Sequence, residues 1–163
     1  VTACDPTVAG GMGPNEEKVR RATAWAERWN TYAVFGTAQT YGNTNNENYM
    51  RPYFYRWFGR GDRAAMAGIY DRYRQMGEIF GNRLSISCVT NTDPSCGSDE
   101  YCAWLLPSTV FICPRFLPLN EQRQIIKIYA ALARRMPGVT EDQTEAYPGL
   151  AKDYKERFWG VAG

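Results

Sequence analysis

The chain has 163 residues, of which 44 % are hydrophobic, 14 % aromatic and 22 % charged, with a net charge of +2. That is the composition of one folded domain; it excludes a disordered tail, a coiled coil or a collagen-like rod, and the charge balance is too even to signal nucleic acid. No apolar run approaches the roughly 18–20 residues that cross a bilayer, and the chain has no histidine, the commonest catalytic-zinc ligand and the usual general base near neutral pH.

Pro14, followed by Asn15-Glu16-Glu17, suits a helix start, with proline in the first turn and acids facing the positive end of the dipole. Val19, Ala22, Ala26, Trp29 and Ala33 then recur at steps of three and four, the stripe of a long helix. Residues 36–48 are polar, Asn-rich and without periodicity, and read as a loop. The segment 51–59 is dense in aromatics. A second helix is predicted from Asp62 as N-cap, burying Met66, Ile69, Tyr73, Met76 and Phe80 and ending through a left-handed backbone at Gly81-Asn82.

A β region follows. Residues 84–89 alternate apolar and small polar residues at period two, and 101–106 with 109–113 flank Pro107-Ser108 as a hairpin. Asn120 caps a third helix with the stripe Ile125, Ile128 or Tyr129, Leu132 and Met136, stopped by Pro137-Gly138. Beyond an acidic loop (Glu141, Asp142, Glu145), a short last helix carries Leu150, Tyr154 and Phe158. There is no repeat, linker or low-complexity tract, so the expectation is a single α+β domain, mostly helical with a small sheet.

Cysteines stand at 4, 88, 96, 102 and 113 with no C-x-x-C pair, and no histidine is present to complete a Cys/His zinc site. They read as a disulfide framework with one thiol left over, hence an oxidising compartment and a secreted protein. The start Val1-Thr2-Ala3-Cys4 reads as a mature terminus after removal of a signal peptide.

These residues, in this order, resemble the secreted fungal zinc endopeptidases of the deuterolysin and peptidyl-Lys metalloendopeptidase type. The resemblance rests on the early Cys4, the Ala-rich long helix, Trp57-Phe58-Gly59 before a helix containing Tyr70-Asp71-Arg72-Tyr73, and the Ser87-Cys88 and Ser108–Cys113 strands. Thr140-Glu141-Asp142 with Tyr147 and Gly149 adds to it, as does the ending Asp153–Phe158. It implies a zincin-like domain. Counting back from Gly138, the family's two histidine ligands would fall on Tyr129 and Ala133, its glutamate base on Ala130 and its third ligand on Asp142. Only Asp142 keeps a ligand type, and a one-residue change of register creates no histidine. One carboxylate cannot hold a zinc that needs three protein ligands and an open position. The resemblance therefore implies a pseudopeptidase without a metal or other cofactor. It also pairs Cys4 with Cys88 and ties Cys113 to a cysteine across the hairpin. Cys96 is the preferred partner, leaving Cys102 outside a bridge, with Cys96–Cys102 as the competing option.

The remaining constellations read more plainly. Glu141, Asp142, Glu145, Asp153 and Glu156 match no calcium loop and read as solvated acids. The aromatic and arginine strip 51–63 reads as core aromatics with arginines pointing outward, and Asp62 of the Arg60-Gly61-Asp62 tripeptide already has a capping task. The expectation is a secreted, monomeric, catalytically inactive homologue of a metalloendopeptidase, acting by binding a protein or cell-surface target as an effector, inhibitor or cytotoxic protein. Its candidate surface comprises Tyr129, Asp142, Tyr147, Arg51, Arg56 and Trp57. A residual hydrolase (a peptidase or nuclease with unusual ligands) and a membrane-active toxin are the alternatives.

Overall fold

One apolar stripe organises the chain. In the computed structural model, which describes residues 4–5, 13–42, 44–82, 84–89, 93–94, 96, 101–105 and 109–158 without the side chains of 41–50, 103–105 and 158, helix α1 spans Pro14–Gly42. Val19, Ala22, Ala26, Trp29 and Ala33 are all sealed from solvent, and the small alanines let α3, α4 and α5 approach α1 closely. Its first turn is capped from outside the helix. The Asp5 carboxylate accepts the backbone N–H groups of Asn15 at 3.2 Å and Glu16 at 2.8 Å, and the Cys4–Cys88 bridge holds Asp5 in place.

The loop expected over 36–48 is instead helix: α1 runs on to Gly42, and α2 spans Thr44–Phe58 with Pro52 inside it. Local hydrogen bonds of buried hydroxyls and one close tertiary contact, neither of which leaves apolar periodicity, accompany the continuation. Thr37 and Thr40 are buried and return their hydroxyls to the carbonyls of Ala33 and Gly36, at 2.7 and 2.8 Å. The Tyr154 ring lies so close over Gly36 that a methyl there would meet it at 2.5 Å.

Helix α3 (Arg63–Gly81) starts where expected, with the Asp62 side chain accepting from the Ala65 N–H, and buries the five predicted residues. Its end differs. Asn82 has φ −94° rather than a left-handed backbone, and its N–H closes the last turn on the carbonyls of Glu78 and Ile79. Strands β1 (Ser85–Cys88), β2 (Cys102–Leu105) and β3 (Thr109–Ile112) form one sheet in the order β1-β3-β2. β3 pairs antiparallel with β2, as the hairpin predicts, and parallel with β1. The Pro107-Ser108 turn, the Val1–Ala3 terminus and the Phe158 side chain lie outside the described residues.

Asn120 caps α4 (Glu121–Arg134) through the Arg123 N–H. Gly138, at φ +84°, turns the chain against Arg72. A 3₁₀ turn over Glu141–Gln143 then leads into α5 (Ala146–Phe158). Bridges join Cys4 to Cys88 and Cys96 to Cys113, while Cys102 keeps its thiol, buried in β2. The architecture is α+β. No described helix is long and apolar enough to cross a membrane.

Candidate functional site

Helix α4 has two faces, and they answer different questions. Ile125, Ile128, Tyr129, Leu132 and Ala133 point into the core and are almost fully enclosed. Tyr129 donates to Asn30 Oδ1 at 2.5 Å, and the Asn30 amide donates to the Tyr73 carbonyl at 2.9 Å. The Tyr73 hydroxyl donates to the Tyr147 carbonyl at 2.6 Å, and Arg72 donates to the Tyr147 hydroxyl at 3.0 Å. These rings meet edge to face: Tyr73 packs with Tyr129 and Tyr147, and Phe80 with Tyr129. Burial pushes the Tyr73 and Tyr129 hydroxyls well above the ordinary tyrosine range. At Tyr147 burial raises the value against the opposing effect of Arg72. They are neutral phenols that tie helices together.

Tyr129 and Tyr147, expected on a binding surface, are therefore core residues, with no exposed area at either. The reason is helical geometry: positions 129 and 133, four apart, share the face that packs on α1 and α3.

The opposite face carries Lys127, Ala130, Ala131 and Arg134 at i, i+3, i+4 and i+7. With Glu141, Asp142 and Glu145 they line a cleft of about 480 Å³, completed by Tyr101, Cys102 and Thr144. The alanines form its floor. Arg134 pairs with Glu141 at 2.9 Å and Lys127 with Glu145 at 3.1 Å, linking α4 to the turn before α5. Lys127 also stands 4.8 Å over the Tyr101 ring. Cys102 Sγ donates to the Lys127 carbonyl at 3.1 Å, fastening β2 to the helix. Asp142 is exposed and accepts from the Thr140 hydroxyl. Exposed pairs of this kind contribute about 0–1 kcal/mol each, so a ligand can displace them at little cost.

A second cleft, of about 300 Å³, continues along α4 toward its N-terminus and shares Lys127 and Glu145 with the first. Arg56 and Trp57 lie here, on the end of α2. The Trp57 indole N–H donates to Asp153 at 2.6 Å, Arg56 stands 3.8 Å from the same carboxylate, and the ring lies on Gly149. Arg51 lines neither cleft and lies against Gly61 and its neighbour Tyr55. The candidate surface thus divides: Asp142 belongs to the first cleft, Arg56 and Trp57 to the second, and Arg51 to another face. The cations that α4 contributes to the two clefts, Arg123, Lys127 and Arg134, escaped the sequence reading. Their signal was present, as cations spaced four and seven apart opposite the apolar stripe.

The donor set does not fit zinc. The cleft-facing side of α4 offers two methyls and two cations, and the carboxylates opposite do not converge. Glu141 and Glu145 pair with Arg134 and Lys127, and Asp153 is taken by Trp57. Among the described residues no three His, Cys, Asp or Glu side chains are placed to share a metal. The Arg60-Gly61-Asp62 tripeptide is likewise committed, with Asp62 capping α3 and holding Arg60 at 3.1 Å. What the arrangement offers is a groove with an apolar floor and charged rims. Gln122 to Arg134 spans about 18 Å of helix at 1.5 Å per residue, the length of about five extended residues. The edge strand β2 stands at one wall. Set against known protein families and curated proteins, the chain matches no family model and no curated relative.

Proposed function

We propose that this chain is a secreted, proteolytically inert relative of the zincin-type endopeptidases that acts by binding an extended segment of another protein along α4. The observation that carries the reading is the composition of α4's outer face. Laid one residue later than Gly138 suggests, the family's two ligand positions fall on Ala130 and Arg134 and its base position on Ala131. All three line the same cleft as Asp142, the remaining ligand type. The groove is retained in this reading, while its chemistry is replaced by methyl groups and an ion pair.

Binding needs only what the groove contains. Its floor removes apolar side chains from water, its rims hold both signs of charge, and β2 is paired on one side only among the described residues. An edge strand beside a groove can pair with an extended segment through main-chain hydrogen bonds. Two disulfides fit the oxidising compartment that secretion implies.

The test combines casein digestion, with and without added zinc and chelator, and selection of binders from a displayed random peptide library. The expected result is intact casein under every condition, and selected peptides whose binding broadens the backbone resonances of residues 101–105 and the Ala130 and Ala131 methyls. Chelator-sensitive cleavage would overturn the proposal and restore the hydrolase alternative. Peptides that perturb only other faces would separate binding from the groove.

A further inference from the structure

The second cleft is not electrically neutral. Its wall carries four cations, Arg56, Arg123, Lys127 and Lys152, against two carboxylates, Glu145 and Asp153. Both carboxylates are engaged within the fold: Glu145 faces Lys127 at 3.1 Å, and Asp153 takes the Trp57 indole at 2.6 Å with Arg56 behind it at 3.8 Å. Among the described residues Lys152 forms an ion pair only with its helical neighbour Glu156, at 3.4 Å, the two side chains being 31 % and 37 % exposed. Arg123 is exposed and forms no ion pair among the described residues; only its backbone N–H is used, by the Asn120 cap. Arg123 also sits in the first turn of α4, where the helix dipole adds positive potential. Glu121 of that turn is drawn toward Arg21 on α1, at 3.7 Å. The rest of the wall is Trp57, Ile126 and Pro148, which gives the cleft an apolar body beneath a cationic rim.

We propose that this cleft is the specificity subsite of the groove and takes an acidic side chain, Asp or Glu, of the bound peptide, with Arg123 and Lys152 as its charge partners and Trp57 as its apolar wall. The inference rests on the peptide-binding reading of the groove. A single carboxylate stays within the excess of two cations, whereas a polyphosphate backbone would bring several charges against Glu145 and Asp153. The chain's overall net charge of +2 gives no wider field to hold such a polymer.

Two fluorescein-labelled heptapeptide libraries, identical except for a central Glu in one and Gln in the other, test this by anisotropy. The Trp57 indole N–H resonance reports the location. The expected preference for Glu is about tenfold at low salt, the ratio that one charge-assisted contact supplies, and it falls toward unity as added salt shortens the Debye length. Arg123→Gln with Lys152→Gln removes the preference, so that the Glu library binds this variant no more tightly than the Gln library does. Arg20→Gln with Arg74→Gln, the same charge removed elsewhere, retains it. Equal binding of both libraries, or a preference that survives the Arg123/Lys152 variant, overturns the acidic subsite while leaving the groove. Failure of both libraries to bind overturns the subsite and the groove together.

Discussion

At Tyr129 a single hydroxyl decides between a surface role and a core role. Its bond to Asn30 Oδ1 joins α4 to α1, and Asn30, 1 % exposed, has among the described residues only that phenol on its oxygen. Tyr129→Phe keeps the ring contacts with Tyr73 and Phe80 but leaves a buried carbonyl oxygen without a donor, which costs about 1–2 kcal/mol. The midpoint of urea unfolding should fall accordingly with an unchanged slope. Glu141→Gln, which breaks the exposed pair with Arg134, should stay within about 0.5 kcal/mol of the parent. An equal cost for the two substitutions would mean that the phenol network does not hold the helices. The caps at Asp62 and Asn120 were legible because an N-cap acts within three residues of itself. The cap of α1 was not, because Asp5 stands ten residues from the first N–H it accepts and reaches it only through a bridge to Cys88.

Helices α1 and α4 mark how far periodicity reads an element. In α4 the stripe named the buried face correctly, but the same pattern already implied that 129 and 133 lie on it, so a ligand pair counted onto those positions could never have faced solvent. In α1 the pattern failed beyond Ala33, because the residues that carry the helix onward are threonines bonded to their own backbone and a glycine under Tyr154. Polar composition there reflects local satisfaction of buried groups rather than a loop. The two faces of α4 make a direct prediction. Ala130→His, Ala131→Glu and Arg134→His place two imidazoles one turn apart, with a carboxylate beside the first, on the side that Asp142 shares. This variant should bind one Co²⁺ with the visible absorption of a tetrahedral site and gain thermal stability from it. Tyr129→His, Ala130→Glu and Ala133→His should instead lose about 3 kcal/mol or more by disrupting the core, and bind no metal. Metal binding by the second variant, or none by the first, would mean that the faces are assigned the wrong way round.

For the whole molecule, the site was illegible because its walls come from distant segments. Tyr101 of the β region, the turn at 141–145 and Trp57 of α2 reach α4 through the packing of α5 on α1, α2 and α4 and of β2 on α4. Among the described residues that packing leaves four phenols inside, at Tyr73, Tyr129, Tyr147 and Tyr154, each with its hydroxyl pushed up chiefly by burial. The consequence for stability has a definite sign. In the unfolded chain these groups release their protons near the ordinary value of about 10, whereas the folded chain retains them to higher pH. The unfolded state therefore binds fewer protons above about pH 10, and stability must fall there. The contribution is fully present below that pH and shrinks by roughly 1.4 kcal/mol per pH unit for each phenol, until the folded value is reached. Lys155, whose value burial lowers, works the other way, but one lysine against four phenols leaves the sign unchanged. Of the 11 tyrosines, these four should ionise only as the fold opens. Alkaline titration should thus show two phases of phenolate absorbance, the second coinciding with loss of near-ultraviolet circular dichroism. Tyr154→Phe should remove one proton from that second phase, together with the bond to Thr40. Ionisation of these four together with the exposed tyrosines in a single phase, with the dichroism intact, would mean that the phenols are wet and that the core around α4 is not closed.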